Sequence, residues 1–351
     1  MSKIQLKNLT YGFDIQGRML FDHANITIQT TWKLGLIGRN GRGKTTLLRL
    51  IQGELPYEGK IEHQTEFLYF PQYITDATNM TYQVLEGFEE IEFWKLEREL
   101  QLLEVNPDVL WLPYEQLSGG EQTKVLLAVL FAQESGFPLM DEPTNHLDHA
   151  ARQIVANYLK SKKQGFILVS HDRQLVDDVV DHILSIERSQ LVLHQGNFSQ
   201  YEQEKKRRDD FEVASNIKIK KEISRLNQTA LEKAQWSGAR EKEKSGNPKK
   251  KGSGAVFDKG FIGAKAAATM KRSKAIEHRM EAQISQKETL LKNLEKVDTL
   301  AIHARPTHRK QIVKVENFQL CYGEKTLFQP ISFELNVGDC LALIGKNGSG
   351  K

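Results

Sequence analysis

Cysteine is nearly missing from this chain: Cys321 and Cys340 are the only two in 351 residues. That excludes a disulfide scaffold and multi-cysteine zinc modules. The two could pair, but the favoured reading is core or incidental residues of a reducing compartment. Long apolar runs are missing as well. The longest, VLLAVLFA (125–132), falls far short of the ~20 residues that span a bilayer. The opening MSKIQLKNL lacks the apolar core of a secretory signal. Mean hydropathy is −0.48, and 27% of residues are charged. These features describe a soluble, cytoplasmic chain with no membrane partner and length enough for two domains.

Acidic residues are scarce in one stretch. Residues 233–274 hold twelve basic and three acidic side chains. The window carries +9 in a chain of net +4, which leaves −5 for the remainder. Positive charge gathered in one segment suits a polyanion partner; a solvated linker is the plainer reading of the same residues.

An internal repeat sets the domain plan. FDHANITIQTTWKLGLIGRNGRGK (21–44) aligns without a gap to FQPISFELNVGDCLALIGKNGSGK (328–351), with nine of twenty-four positions identical. Both copies read as strand, turn, strand and Gly-rich loop. IQLKNLTYGF (4–13) matches VKVENFQLCY (313–322) upstream. The pattern is a tandem duplication of a domain. The first copy, 1–201, alternates β-branched strands (GFILVS, 165–170; HILSIE, 182–187) with helical stretches (TTLLRLIQ, 45–52; EQTKVLLAVLFAQ, 121–133), the α/β pattern. Residues 202–302 differ. Ile219, Ile223, Leu226 and Ala230, then Ile276, Met280, Ile284, Leu291 and Leu294, recur at helical spacing amid charge. Between them lies a Gly-, Ser- and Lys-rich stretch. This predicts a helical hairpin, its first helix running over about 203–236, with a basic tip over about 237–265. Residues 303–351 open a second copy and stop at its Gly-rich loop.

Three motifs carry the chemistry. GRNGRGKT (38–45) fits G-x-x-x-x-G-K-[ST] between an apolar strand and a helix. Such a loop turns backbone N–H groups and a helix N-terminus toward phosphates. Lys44 would neutralise phosphate charge, and the Thr45 hydroxyl would reach Mg²⁺. FPLMDE (137–142) is an apolar strand ending in two acids. Asp141 could hold Mg²⁺ through water and Glu142 orient an attacking water; Pro138 is expected at the strand's first residue. LSGGEQ (117–122) starts a strong helix, where Ser118, Gly119 and Gly120 present a hydroxyl and N–H groups. His171 and Gln72 are weak signals alone, and a lone histidine is more often structural.

Taken together, GRNGRGKT, YFPQ (69–72), LSGGEQ, FPLMDEP, TNHLD (144–148) and SHD (170–172) in this order resemble an ABC-type nucleotide-binding domain. The resemblance implies an α/β fold of three parts: the ABC domain, a long α-helical hairpin linker and a partial second ABC domain. It implies ATP and Mg²⁺ as cofactors, with no other metal. Phe13 would stack on adenine, as would Tyr322 in the second copy. Gly38, Asn40, Gly41, Gly43, Lys44, Thr45 and Thr46 would hold the phosphates, as would Gly345, Asn347, Gly348, Gly350 and Lys351. Ser118, Gly119 and Gly120 would face the nucleotide of an opposed domain. Thr45, Gln72 and Asp141 would bind Mg²⁺. Glu142 would be the general base, His171 the switch, and Asn145 to Asp148 the loop between paired domains.

Further stretches narrow the resemblance. DEPTNHLD (141–148), GNFSQYEQEK (196–205) and AKAAATMKRSKAIEHRM (264–280) are similar to the ABC-F family. The short 52–66 segment, the long Gly-rich tip, WKLGLIGRNGRGKTTLLRL (32–50) and LSGGEQTKVLLA (117–128) resemble its Lsa-type ribosome-protection members. The resemblance implies a 70S ribosome partner met in the exit site, with 23S rRNA and tRNA at the basic tip and no DNA. Trp236, Phe257 or Phe261 would stack on bases or pack nearby. It further implies displacement of peptidyl-transferase-centre antibiotics (lincosamides, pleuromutilins, streptogramin A) and release on ATP hydrolysis. A housekeeping ABC-F translation factor and a transporter ATPase subunit are the competing readings. The second copy stops before its own hydroxyl, LSGG and acidic pair, so the chain reads as a fragment. The tail from about Val313 is expected to fold poorly and ATP turnover to be impaired.

Overall fold

Residues 2–13, 18–86, 88, 92–133, 135–145, 147–187, 189–243, 279, 310–323, 325–326 and 328–345 are described by the computed structural model. The first repeat begins with β1 (Lys3–Phe13), β2 (Arg18–Gln29) and β3 (Lys33–Ile37), followed by α1 (Lys44–Ile51), β4 (Glu58–Glu62) and β5 (Phe67–Phe70). A lobe of α2 (Thr81–Glu86), α3 (Phe93–Leu102) and two short 3₁₀ turns leads into α4 (Gly119–Ala132). Then β6 (Phe137–Asp141), α5 (His149–Ser161), β7 (Phe166–Val169), α6 (Arg173–Val179), β8 (His182–Glu187) and β9 (Gln190–Gln195) complete it.

These strands form two sheets. One is antiparallel, in the order β2-β1-β4. The other has six strands in the order β5-β6-β7-β3-β8-β9, parallel except for β9. Alternation along the central strands divides the apolar residues between two cores. Phe137, Leu139, Ile167 and Val169 pack with α1 and the antiparallel sheet. Met140, Phe166 and Leu168 pack with α4, α5 and α6. The apolar run of α4 is buried on every side, from Val125 to Ala132, which explains why it has no polar face.

Three expectations need correction. Pro138 is the second residue of β6, buried and level with Leu68. Pairing with β7 begins only at Leu139, so the missing proline N–H falls outside that ladder. Helix α7 (Phe198–Glu243) is longer at both ends than the periodicity indicated: 46 residues, or about 69 Å at ~1.5 Å each. The chain is thus still helical at 237–243, where the tip was expected to begin. The third concerns the second repeat. Strands β10 (Gln311–Phe318) and β13 (Ile331–Asn336) pair antiparallel, and β11 (Cys321–Tyr322) pairs with β12 (Lys325–Thr326). The segment matching β3, however, is not a strand; Leu343 and Ile344 are 71% and 93% exposed. In the first repeat β3 is held between β7 and β8, which follow it in sequence, and no counterparts of these occur among the described residues.

Cys321 and Cys340 are both free and exposed, so neither is a core residue. The rest of the expected tip and the second hairpin helix lie outside the described residues, except Arg279, which is helical and exposed. The chain divides into two units, Met1–Glu202 with His303–Lys351 and Gln203–Ile302. No helix among the described residues is long and apolar enough to cross a membrane.

Candidate nucleotide site

The loop from Gly38 to Gly43 joins β3 to α1. Gly41 and Gly43 have φ of 74° and 90°, left-handed values that glycine adopts without a Cβ penalty. Gly43 caps α1 with no side-chain hydrogen bond, so the first-turn N–H groups are left for an anion. Thr46 lies in that first turn. Lys44 Nζ donates to the Gly38 carbonyl at 2.9 Å and to Asn40 Oδ1 at 3.4 Å, holding the loop closed. Burial pulls the lysine pKa down, against the opposing pull of Glu142 and Asp141. A half-buried ammonium facing two acids is poised to exchange its loop contacts for phosphate oxygens.

The two acids arrive from β6. Thr45 Oγ1 donates to Asp141 Oδ2 at 2.6 Å, joining residues ninety-six positions apart. Tyr69, from the neighbouring β5, donates its hydroxyl to the same oxygen at 3.4 Å. Burial, with the Asp141 charge, pushes the Tyr69 pKa up to about 12. Sequence reasoning passed over Tyr69; its signal was the β5 register, which sets it opposite Leu139, two residues before Asp141.

Glu142 follows directly, with φ of 55°. This is a costly backbone conformation for a side chain with a Cβ, and it is fixed by a bond from Glu142 N–H to the Val169 carbonyl at 2.8 Å. Its Oε2 accepts from the His171 backbone N–H at 3.2 Å. Its Oε1 lies 3.4 Å from His171 Nε2 but makes no hydrogen bond among the described residues and is buried. Burial raises the Glu142 pKa, opposed by His171 and Lys44 and reinforced by Asp141. Such a carboxylate is a good proton acceptor with one face unspent.

Gln72 donates weakly to the Leu126 carbonyl at 3.4 Å, and its buried Oε1 makes no hydrogen bond among the described residues. Thr45, Asp141 and Gln72 offer a hydroxyl, a carboxylate and an orphaned amide oxygen, the hard donors that Mg²⁺ takes beside phosphates and water. No group of three or more His, Cys, Asp or Glu able to hold a metal occurs among the described residues.

The structure thus joins Lys44, Thr45, Asp141, Glu142 and His171 through direct contacts or charge. The LSGG segment is built separately. Ser118 caps α4, accepting from Glu121 N–H at 3.3 Å, while Glu121 Oε2 accepts from Ser118 N–H at 2.9 Å. The Ser118 hydroxyl also donates to that carboxylate at 2.7 Å. This capping box shapes Gly119 and Gly120 as the first helical turn. Asn145 N–H donates to the Glu142 carbonyl at 3.2 Å. Asp148 caps α5, accepting from Ala151 N–H at 2.9 Å. Phe13 ends β1 and Tyr322 ends β11; Gly345 is the last described residue. Asn347, Gly348, Gly350 and Lys351 lie outside the described residues.

Comparison with known proteins places the chain among nucleotide-binding relatives. Residues 21–145 match the family described as ABC transporter. The chain is 30% identical over 349 residues to the ribosome protection protein VmlR of Bacillus subtilis, covering 99% of this chain and 60% of that protein. It is 30% identical over 333 residues to the erythromycin resistance ATP-binding protein MsrA of Staphylococcus epidermidis, covering 91% of this chain and 62% of that protein. It is 32% identical over 208 residues to ABC transporter F family member 2 of Arabidopsis thaliana, covering 57% of this chain and 30% of that protein. The chain spans about three-fifths of the length of the first two relatives.

Proposed function

We propose that this chain, an ABC-type ATP-binding protein of the ABC-F family, hydrolyses ATP at the Lys44–Thr45–Asp141–Glu142 site to time its stay on the ribosome. The observation that carries the ATPase reading is the Thr45–Asp141 hydrogen bond of 2.6 Å beside Glu142, whose Oε1 is buried and unspent. Lys44 and the α1 N-terminus would bind the β- and γ-phosphates. Thr45 and Asp141, with Gln72, would hold Mg²⁺, which supplies charge neutralisation on the phosphate oxygens. Glu142 would take a proton from the attacking water, and His171 would keep that carboxylate in place. Ser118, Gly119 and Gly120 would complete the nucleotide site of an opposed ABC domain, so binding would close the pair and hydrolysis would open it.

The ribosomal part of the proposal rests on two supports. Relatives over most of the chain are a ribosome protection protein and an erythromycin resistance protein. The +9 segment over 233–274 suits rRNA phosphates. The ATP-bound protein would dock in the exit site, and the basic tip would shift the rRNA around the drug pocket until the antibiotic leaves.

Glu142→Gln tests the base. The substitution keeps volume and removes the proton acceptor. ATP turnover should fall by roughly 10²-fold or more, the usual worth of a positioned base, while filter-binding affinity for ATP is retained. Turnover at the parental rate would remove Glu142 from the role.

A further inference from the structure

We propose that the lobe between β5 and α4 carries a second interaction surface, an aromatic face that docks an Arg/Lys-rich segment of a protein partner. The nucleotide chemistry uses none of its exposed residues. Two of the chain's four tryptophans stand on it, Trp94 at 55% and Trp111 at 58% exposure. Phe93, Met80 and Leu112 are also exposed, at 45%, 41% and 44%. Trp111 sits at the centre of one group, and Trp94 follows Phe93 on α3. The Trp111 ring lies 5.0 Å from Tyr82 and 6.4 Å from Phe93, centroid to centroid. Thr81 N–H bonds to the Leu112 carbonyl at 2.8 Å, tying the start of α2 to the turn that bears Trp111. Exposed Trp, Phe and Met beside the half-buried Tyr82 have the composition of an interface centre, not of ordinary surface.

Charge identifies the occupant. Residues 73–115 hold ten acidic side chains and only two basic ones, Lys95 and Arg98, a net −8 in a chain of +4. Asp76, Glu86, Glu92, Glu104, Asp108 and Glu115 are exposed. The two cations are already engaged: Lys95 with Glu92 at 2.9 Å and Arg98 with Glu99 at 2.9 Å. Trp94 shows what the face accepts, since Lys95 and Arg98 sit 5.5 and 5.6 Å from its ring centroid. Its indole N–H meanwhile bonds to Glu92 Oε2 at 2.5 Å. Acid beside aromatic is the receptor for guanidinium and ammonium groups, which stack on the ring and pair with the carboxylate. Nucleic acid would meet the same face with repulsion.

The test is fluorescence anisotropy at 150 mM salt with a fluorescein-labelled peptide of alternating arginine and leucine, ten residues long. A ten-nucleotide oligo-U RNA serves as the competing class. The parent chain should bind the peptide, and Trp94→Ala with Trp111→Ala should weaken it roughly tenfold, the scale of losing interface anchors. RNA binding should be unchanged by the pair. Glu92→Gln with Asp108→Asn, two exposed positions, should weaken the peptide by severalfold and guards against a tryptophan variant that misfolds, which circular dichroism would reveal. Parental peptide affinity in both variants would overturn the proposal. So would loss of RNA binding with the tryptophans, which would make the face a nucleic-acid site. The assay uses neither ATP nor ribosomes, so its outcome is separate from the proposed ATPase cycle.

Discussion

Glu142, the proposed base, combines backbone strain with a buried carboxylate. Its backbone sits at φ 55°, its carboxylate is largely buried, and burial is the main reason its pKa is raised. A raised carboxyl binds its proton more tightly folded than unfolded. Its stabilising contribution is therefore full below the unfolded pKa and lost as pH rises through the folded value. At neutral pH the charged form is a liability. Glu142→Gln should therefore raise the melting temperature at pH 7 by ~2–4 °C, about 1 kcal/mol in a domain of this size. The gain should shrink as pH falls toward the ordinary glutamate range, because the parent then carries its own proton. Differential scanning calorimetry at the two pH values checks this, and an equal gain at both would show that desolvation is not the cause.

Helices α3 and α5 are joined by a buried charge. Glu99 is 1% exposed, and its Oε2 accepts from Tyr158 Oη at 2.6 Å and from Lys162 Nζ; Arg98 donates to Oε1 at 2.9 Å. Burial pushes the Glu99 pKa up, but the hydrogen bonds from Lys162, Tyr158 and Arg98 together hold it below the usual value. Lys162 covers the rings of Tyr158 and Phe131 at 4.2 and 5.1 Å. Removing one partner strands the other, so Glu99→Ala should cost about 3 kcal/mol in urea unfolding, against about 1 kcal/mol for Tyr158→Phe. Because the Glu99 pKa is depressed, this contribution is lost as pH falls through it. A Glu99→Ala cost no larger than that of Tyr158→Phe would mean Lys162 finds water instead.

None of that network was legible in the sequence, because its members lie 59 and 63 positions apart and no periodicity links them. Strands β3, β6, β7 and β8 and helix α4 were legible, since continuous apolar runs declare themselves locally. The P-loop was legible too, because strand, glycines and helix are consecutive. Its junction with Asp141 was inferable only from motif order, whereas Tyr69 needed the strand register. The second-repeat segment matching β3 was misread because similar residues form a strand only when neighbouring strands cover it.

At the scale of the whole molecule the charge is segregated along the sequence: +9 over 233–274 and −8 over 73–115. The account gives the basic segment to rRNA, so ribosome association should weaken steeply with salt as counterions are released. The nucleotide site would set when that association occurs, and Glu142 when it ends. The direct test is sedimentation of the Glu142→Gln protein with 70S ribosomes through a sucrose cushion, with and without ATP. The account predicts co-sedimentation that requires ATP and falls between 50 and 200 mM salt, as phosphate contacts do. Absence from the ribosome pellet with ATP present, or equal pelleting without it, would contradict it.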